Sequence, residues 1–393
     1  MIRKIKFNNF YSFKGNQEIN FLADKKKDYS YFQTNDNKQI TKIASFIGAN
    51  ASGKTNISRL FSFLGDFICT SKKKKHIEKP YLAYKTFFFN KKETKFYIEF
   101  EIKDYIYRYN LVIKDNIIQK ESIDRTKKEK RARKQLFFLR ELNEIKETNK
   151  EHFDNLPKGF SKNIKSDISL IAFLKANYNI EVVNEIFDYF FKFNTNINEI
   201  GEKENNAYQF NLLNICLKDK KLKKQVDHFI KNFDLGLEGT EMVKENLGGG
   251  KMKISAHGIH KLQEKNIKLG LRYESEGTRS LIFTLVRILS ALKNESVVII
   301  DEIETALHPE ALRKLIQFFI DENKDKRSQL IFTSQSLSFL DKLDMHQIYL
   351  IEKDSNCDSK VFRLNTIEGI RSDENFLAKY MSGKYGAFPK IKV

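Results

Sequence analysis

The chain has 393 residues, 41% of them hydrophobic, which is enough for one large or two ordinary domains with a buried core. Lysine and arginine number 70 against 51 aspartates and glutamates, which gives a net charge of +19. Such an excess suggests nucleic acid or another polyanion as a partner. The alternative is a compositional bias, since lysine and asparagine are abundant along the whole chain, as in a protein from an AT-rich coding sequence. The three cysteines have no C-x-x-C spacing, which argues against a disulfide framework or a zinc site and favours a reducing cytoplasm.

The N-terminal stretch Met1–Phe7 alternates charged and apolar residues, which predicts a first strand and not the apolar core of a signal peptide. A second strand is predicted at Glu18–Phe21. No apolar run approaches the roughly 18 residues that cross a membrane. We therefore expect a cytoplasmic protein without a membrane partner.

A glycine-rich loop between a strand and a helix is the strongest motif. The apolar run Ile43–Ile47 predicts a buried strand, Asn56–Leu64 has helical spacing, and Gly48–Thr55 between them matches G-x-x-x-x-G-K-[ST], the P-loop pattern. Such a loop binds polyphosphates through backbone N–H groups and the helix dipole. Lys54 would reach the β- and γ-phosphates of ATP, and Thr55 would ligate Mg²⁺. The predicted ATP-binding residues are Gly48, Ala49, Asn50, Ala51, Ser52, Gly53, Lys54, Thr55 and Asn56.

The region after the P-loop helix changes to strands. Thr86–Ile123 alternates apolar and polar residues and predicts an inserted antiparallel sheet. The basic stretch Thr126–Lys134 is either a contact for a phosphate backbone or an exposed hairpin tip. The lysine run Lys72–Lys75 is interpreted as a solvated loop.

Residues 150–245 carry apolar residues three and four apart, which predicts a helical insertion. The glycine run Gly248–Gly250 interrupts this pattern. After it, Lys253–Gly258 and Lys265–Tyr273 are predicted to be strands that return to the main sheet.

Two acids follow a second buried strand, Val297–Ile300, in the Walker B pattern. A parallel strand ends at the edge where α/β sheets bind ligands, so Asp301 and Glu302 are expected beside the P-loop. Asp301 would hold Mg²⁺ through water, and Glu302 is the candidate general base for the attacking water.

A second anion-binding segment is predicted before that strand. Ser275, Gly277 and Thr278 lie where a helix begins, and a helix N-terminus attracts phosphate. Two such helix starts on one P-loop core suggest that this one caps the ATP of a partner subunit. The alternative is an ordinary helix N-cap.

The segments after the acids complete the pattern. Pro309 suits the first turn of a helix, and Gln329–Thr333 is the next predicted strand. Gln335 follows this strand and would lie beside the γ-phosphate. Gln347–Glu352 and Lys360–Leu364 are predicted to pair as a hairpin.

This order of motifs resembles the ABC-type ATPase heads of the SMC, Rad50, RecF and OLD group, and more narrowly the stand-alone bacterial ATPases of the RloA/AbiLi type that are linked to phage defence. The resemblance covers almost the whole chain and is weakest in the helical segment. The motifs that carry it are Asn9–Phe13, Glu274–Thr278, Asp301–Pro309, Gln329–Thr333 and the tail Tyr380–Pro389.

The resemblance implies an α/β fold, an ABC-type P-loop NTPase head with a mixed central sheet, an inserted antiparallel sheet and a helical insertion. We expect residues 1–150 to form an ATPase lobe with the P-loop and antiparallel sheet, 151–247 the helical insertion, and 248–393 a lobe with the signature segment, Walker B and the C-terminal hairpin and tail. The resemblance further implies a homodimer or higher homo-oligomer with composite ATP sites. It also implies a separate effector protein, often nuclease-like and encoded nearby.

Two positions depart from the pattern of related heads. Gln335 stands where they usually place a histidine, and Tyr11 where many carry an arginine. A glutamine can hydrogen-bond a γ-phosphate, but it has no charge to offset the transition state. We therefore predict weak turnover and tight retention of ATP.

Three functions compete. The leading hypothesis is an ATPase of abortive-infection type that senses or scaffolds and controls a toxic partner. The alternative is a RecF/SMC-like DNA-binding ATPase of DNA maintenance or repair, which the charge of +19 favours. A nuclease is the third, since Ile367–Gly369 resembles the first motif of a Toprim domain, but too few residues follow to complete that domain.

Overall fold

The computed structural model describes residues 1–23, 28–34, 36, 38–70, 82–129, 132–154, 156–157, 159–160, 164–198, 201, 206–233, 236–246, 252–305 and 307–388. The features predicted at Lys72–Lys75 and Gly248–Gly250 lie outside these residues, as does Pro389 at the end of the predicted tail. Of the helices that the structure describes, none has the length and apolarity that crossing a membrane requires.

The strands are β1 Ile2–Asn8, β2 Gln17–Asn20, β3 Leu22–Ala23, β4 Tyr31–Gln33, β5 Gln39–Thr41, β6 Ile43–Ile47, β7 Thr94–Ile102, β8 Tyr105–Lys114, β9 Ile117–Lys127, β10 Gln135–Glu141, β11 Glu144–Thr148, β12 Asn194–Thr195, β13 Gly239–Asn246, β14 Met252–Leu262, β15 Lys265–Gly270, β16 Val297–Ile300, β17 Gln329–Ser334, β18 Ile348–Lys353 and β19 Ser359–Arg363. The helices are α1 Lys54–Cys69, α2 Lys150–Phe153, α3 Leu170–Asn177, α4 Glu181–Phe191, α5 Asn206–Lys218, α6 Lys220–Asn232, α7 Glu276–Asn294, α8 Pro309–Glu322 and α9 Phe376–Met381.

The central sheet carries the P-loop strand in its middle. Within the described residues its order is β12-β16-β17-β6-β18-β19, with every neighbouring pair parallel except β18 and β19, which form the predicted antiparallel hairpin. Because β6, β16 and β17 are parallel, the P-loop, the acids after β16 and Gln335 after β17 all emerge at one edge.

The central sheet separates two hydrophobic cores, because successive side chains of a strand point to opposite faces. One face packs against α1, α3, α4 and the antiparallel sheet; its strand residues are Ala44, Phe46, Val297, Ile299, Ile331, Tyr349, Ile351 and Val361. The other face packs against α5 to α8; its strand residues are Ile43, Ile47, Val298, Ile300, Leu330, Phe332, Ile348 and Leu350. This burial on both faces explains the unbroken apolar runs of β6 and β16.

The antiparallel sheet has the order β11-β10-β9-β8-β7-β1-β2, so the N-terminal strand lies inside the sheet that follows the P-loop helix. The buried amide of Gln329 joins this sheet to the central one. Its Oε1 accepts a hydrogen bond from the Ile2 N–H (2.6 Å), and its Nε2 donates to the Ile2 carbonyl oxygen (3.0 Å). The predicted fold class, a mixed α/β head with an antiparallel sheet and helical segments, is confirmed.

Two strand predictions are wrong in their partners. The predicted strands Lys253–Gly258 and Lys265–Tyr273 correspond to β14 and β15, but these pair with β13 in a separate three-stranded sheet and do not return to the central sheet. Alternation of apolar and polar residues identifies a strand but not the strand with which it pairs. In addition, β15 is exposed along its length except at Gly270, so it has little apolar surface to bury against another sheet. Moreover, β12 lies within the region predicted to be helical and forms an edge of the central sheet.

The basic stretch Thr126–Lys134 begins in β9 and ends just before β10, and its Lys130 and Arg131 lie outside the described residues. Two of its other lysines are ion-paired within the chain. The buried Lys128 ammonium lies 2.7 Å from Glu101, and Lys134 lies 3.0 Å from Asp124. The Lys128 side chain is therefore buried and engaged internally, whereas the Lys134 side chain stays exposed.

A buried ion pair fastens the antiparallel sheet to the helical segment. Glu121 on β9 and Arg140 on β10 have fully buried side chains, and Arg140 also donates hydrogen bonds to the carbonyl oxygens of Ile168 and Lys165, both at 2.7 Å. Glu121 accepts the Leu170 N–H at the start of α3. Each charge is thus surrounded by hydrogen-bonding partners, as burial requires.

We expect Arg140→Met to lower the free energy of unfolding by about 3–5 kcal/mol, because it leaves the Glu121 carboxylate buried without its cation. Chemical denaturation measures this loss. The matched control is Arg371→Met, which breaks an exposed pair with Asp373 and should cost about 0–1 kcal/mol. Equal losses in the two variants would contradict the structural role of the buried pair.

Candidate nucleotide-binding site

The two glycines of the P-loop are required by its surroundings. A Cβ at Gly48 would lie 2.2 Å from the carbonyl oxygen of Ile351 on β18. Gly53 has a φ of +116°, and a Cβ there would lie 2.8 Å from the hydroxyl oxygens of both Ser12 and Ser359. The loop can follow this path only where glycine allows a close approach and a left-handed backbone.

The P-loop is braced by the first loop and the last hairpin of the chain. The Ser359 hydroxyl donates to the carbonyl oxygen of Ser52 (2.6 Å) and lies 2.8 Å from Ser12 Oγ. Asn56 Nδ2 donates to Ser12 Oγ (2.9 Å), and the Ser359 N–H donates to the Ser12 carbonyl oxygen (2.8 Å). Ser12 and Ser359 are absent from the predicted site residues, because no local pattern links positions so far apart.

Lys54 lies at the mouth of this loop. Its ammonium donates hydrogen bonds to the carbonyl oxygens of Gly48 (2.8 Å) and Ala49 (3.0 Å). Burial lowers the pKa of the Lys54 ammonium, and the carboxylates of Glu302 and Asp301 act in the opposite direction. The predicted phosphate-binding lysine and the two predicted acids are therefore close enough for their charges to interact.

Asp301 is held in place from three elements. Its Oδ1 accepts hydrogen bonds from the hydroxyls of Ser58 on α1 (2.9 Å) and Thr333 on β17 (2.7 Å). Its backbone N–H donates to Asn196 Oδ1 (2.8 Å), and Asn196 Nδ2 donates to its carbonyl oxygen (2.9 Å). Asn196 follows β12, so the helical region supplies a residue of the site that the sequence alone does not suggest.

Glu302 has a left-handed backbone, with a φ of +48°. Its N–H donates to Thr333 Oγ1 (2.8 Å), and its Oε1 accepts a hydrogen bond from Gln335 Nε2 (3.0 Å). The Gln335 N–H donates in turn to Glu304. A strained backbone persists where its surroundings determine it, and such residues cluster at functional sites. The structure thus brings Glu302 and Gln335 together, while their catalytic roles stay predictions.

The donor set fits Mg²⁺. This ion is usually held by one or two carboxylates, with waters and substrate phosphates completing its shell. Thr55 and Asp301 offer one hydroxyl and one carboxylate, both hard oxygen ligands, at the same edge of the sheet. In the described chain, no group of three or more His, Cys, Asp or Glu side chains could hold a metal ion, so the phosphates of a nucleotide would have to supply ligands.

The predicted signature segment begins α7. The Ser275 hydroxyl accepts the Thr278 N–H (3.1 Å) as the helix N-cap, which agrees with the ordinary-cap interpretation and leaves the phosphate role a prediction. Ser275 and Gly277 line a cavity of about 480 Å³ that also includes His308 and Lys314. Among the described residues, those of the P-loop do not line this cavity. The signature segment therefore lines a cavity that the described P-loop residues of the same chain do not line.

A family model described as "AAA domain, putative AbiEii toxin, Type IV TA system" matches residues 43–341. This range includes the P-loop, the signature segment, the acids and Gln335. No curated protein matches the chain.

Three of the solved structures to which this chain is similar are SMC head domains. The SMC head domain from Thermotoga maritima is 12% identical, with 92% of this chain and 98% of that chain covered and a TM-score of 0.42. An SMC head bound to the C-terminal winged-helix domain of ScpA is 15% identical, with coverage of 92% and 97% and a TM-score of 0.45. An SMC head with an extended coiled coil, bound to the ScpA C-terminal domain derived from Pyrococcus furiosus, is 15% identical, with coverage of 92% and 96% and a TM-score of 0.46.

Thr333→Val should lower kcat for ATP hydrolysis by about 10- to 100-fold, the usual effect of losing a group that orients a ligand or catalytic residue. It removes the hydroxyl that bonds Asp301 and the Glu302 N–H but keeps the side-chain shape. The Kd for ATP measured without Mg²⁺ should stay unchanged, since the P-loop is untouched, and both constants are measurable on one preparation.

Thr333→Ser is the matched control, because it keeps the hydroxyl and should retain activity. An unchanged kcat in Thr333→Val, or a serine variant as slow as the valine variant, would show that the hydroxyl does not position the acids.

Proposed function

Because the chain belongs to the AAA-domain family whose description names an AbiEii toxin and a Type IV TA system, we propose that it is the ATP-binding and ATP-hydrolysing subunit of a bacterial anti-phage defence system. In this proposal the system is of abortive-infection type, and the nucleotide state of this subunit controls a separate toxic effector. The narrower assignment, to the RloA/AbiLi-type ATPases, is part of the proposal and rests on the motif resemblance.

One observation carries the ATPase proposal. The Thr333 hydroxyl joins Asp301 (2.7 Å) to the backbone of Glu302 (2.8 Å), and the Glu302 carboxylate reaches Gln335 (3.0 Å), at the edge where the P-loop opens. Separate strands deliver these groups, and their arrangement suits activation of a water beside a terminal phosphate.

Each residue of the site has a proposed role in ATP hydrolysis. Lys54 would bind the β- and γ-phosphates, and Thr55 and Asp301 would hold Mg²⁺, which would offset phosphate charge. Glu302 accepts the proton of the attacking water through its carboxylate. Gln335 orients the water and the γ-phosphate through its amide. Because this amide is uncharged, it stabilises the transition state less than a cation does, which supports slow turnover.

Pairing of two copies would complete each ATP site. Ser275 is exposed at the start of α7, and the described P-loop residues of the same chain are not among those that line its cavity. In a symmetric head-to-tail pair, Ser275, Gly277 and Thr278 of one copy would cap the γ-phosphate held by the P-loop of the other. Binding of ATP would then favour the closed pair and hydrolysis would release it.

The effector is proposed to be a separate nuclease-like protein encoded nearby, which the ATPase restrains or activates in the cytoplasm. The motivation is that the described site contains the parts of an ATPase, while the family description names a toxin system. The second candidate function, a RecF/SMC-like ATPase that binds DNA, is favoured by the net charge of +19.

The defence proposal is tested in phage-challenged cells that express the chain with and without its neighbouring gene. We expect protection, measured as plating efficiency, that requires the neighbour and is lost in Lys54→Ala, because the lysine that holds the triphosphate is gone. The matched control is Lys146→Ala, whose exposed side chain pairs with Glu144 on the edge strand β11 and which should protect like wild type.

Infection that is unchanged in every arrangement would contradict the defence role. Protection that survives Lys54→Ala would contradict nucleotide control. Partner-independent, ATP-dependent duplex binding with a steep salt dependence would instead support the DNA-maintenance alternative.

A further inference from the structure

Two phenylalanine side chains shortly before β7 are exposed to solvent. Phe88 is 68% exposed and Phe89 is 77% exposed, although phenylalanine is among the residues most often buried in folded proteins. Their rings belong to the short turn Phe87–Phe89, and the rings of Phe87 and Phe88 meet edge to face at a centroid distance of 4.7 Å. Exposed aromatic surface of this kind forgoes the hydrophobic stabilisation that burial provides.

The same two residues have left-handed backbones. The φ angles of Phe88 and Phe89 are +44° and +56°, a region that bulky side chains avoid because of steric strain. Exposure and backbone strain therefore coincide on adjacent aromatic residues. Strain of this kind persists only where the surrounding structure over-determines it, and it is concentrated at functional segments.

The surrounding structure holds the turn firmly. Asn9 Oδ1 accepts hydrogen bonds from the Phe87 N–H (3.2 Å) and from Asn90 Nδ2 (2.8 Å), and Asn90 Nδ2 also donates to the Phe87 carbonyl oxygen (2.7 Å). The Thr86 hydroxyl donates to the Asn90 carbonyl oxygen (2.7 Å). The two exposed rings are thus presented on a fixed support.

The charges within residues 85–95 are mainly positive. Residues 85–95 contain the exposed lysines Lys85, Lys91, Lys92 and Lys95 and one acid, Glu93, which lies 3.4 Å from Lys95. A surface that combines flat aromatic faces with several ammonium groups complements a polyanion that itself carries flat apolar rings. Single-stranded nucleic acid has this chemistry, since each phosphate is accompanied by an unpaired base that can stack.

We propose that the segment 85–95 is a stacking platform for single-stranded nucleic acid. Bases stack on the rings of Phe88 and Phe89, and the lysines contact the backbone phosphates. DNA and RNA share this chemistry, and duplexes do not, because their bases are already stacked on one another. The proposal does not depend on the ATPase or defence function, because its test is run without nucleotide.

The platform is connected to the nucleotide site through one short segment. Asn9, which holds the aromatic turn, is three residues from Ser12, which accepts the Asn56 hydrogen bond (2.9 Å) at the start of α1. Between them, the Tyr11 N–H donates to the Lys85 carbonyl oxygen (2.8 Å). The stacking platform and the P-loop are therefore both hydrogen-bonded to the same short segment, residues 9–13.

The test compares wild type with the double variant Phe88→Asn/Phe89→Asn. Asparagine tolerates a left-handed backbone, so the turn keeps its path while the rings are removed. Fluorescence anisotropy is measured with oligothymidylate and oligouridylate of about 15 nucleotides, within the usual range of site sizes. We expect the Kd for both oligomers to rise by about 10-fold or more, the effect of losing at least one stacked base.

Two controls separate stacking from charge and from general exposure. Phe191→Asn removes a ring that is 70% exposed at the end of α4 and should leave the Kd unchanged. An abasic oligomer with the same number of phosphates should bind wild type and the double variant equally weakly, because it has no rings to stack. Thermal melting of each variant confirms that it remains folded.

Three results would overturn the proposal. The first is no measurable binding of either oligomer by wild type at low salt. The second is an unchanged Kd in a folded double variant. The third is a double variant that binds both oligomers like wild type but no longer binds anionic phosphatidylserine vesicles that wild type binds. This result would assign the aromatic turn to a membrane surface.

Discussion

The Thr333 hydroxyl is the contact on which the proposed chemistry depends. It donates to Asp301 Oδ1 and accepts the Glu302 N–H, so its proton and a lone pair are both used. The Ile303 N–H donates to the Thr333 carbonyl oxygen (3.1 Å), and this bond holds the chain that leaves β16 against the end of β17. These bonds explain how Glu302 keeps a left-handed backbone at this edge of the sheet.

The P-loop depends on contacts of equally long range. Gly53 turns beside Ser12, from the first loop, and Ser359, from the last hairpin, and no side chain would fit between them. The Gln329 amide ties the N-terminal strand to the strand that carries Thr333. The antiparallel sheet, the P-loop and the acids are therefore joined by contacts between segments that are far apart in the chain.

Local patterns were sufficient for part of this structure. The P-loop, the strand before Asp301 and the helix start at Ser275 are each encoded within a few neighbouring residues, and all were predicted from the sequence. The roles of Ser359 and Thr333 were not, because they depend on pairing between segments far apart in the chain. The separate sheet of β13 to β15 was missed for the same reason, since alternation identifies strands but not their partners.

In the proposed pair, two copies hold each ATP between the P-loop of one copy and the signature segment of the other. Lys54→Ala and Gly277→Glu disable opposite halves of that site, so each variant alone should be inactive. Co-expression with two affinity tags isolates mixed pairs, each with one intact composite site, and these should hydrolyse ATP at about half the wild-type rate. Mixed pairs no more active than the single variants would contradict the claim.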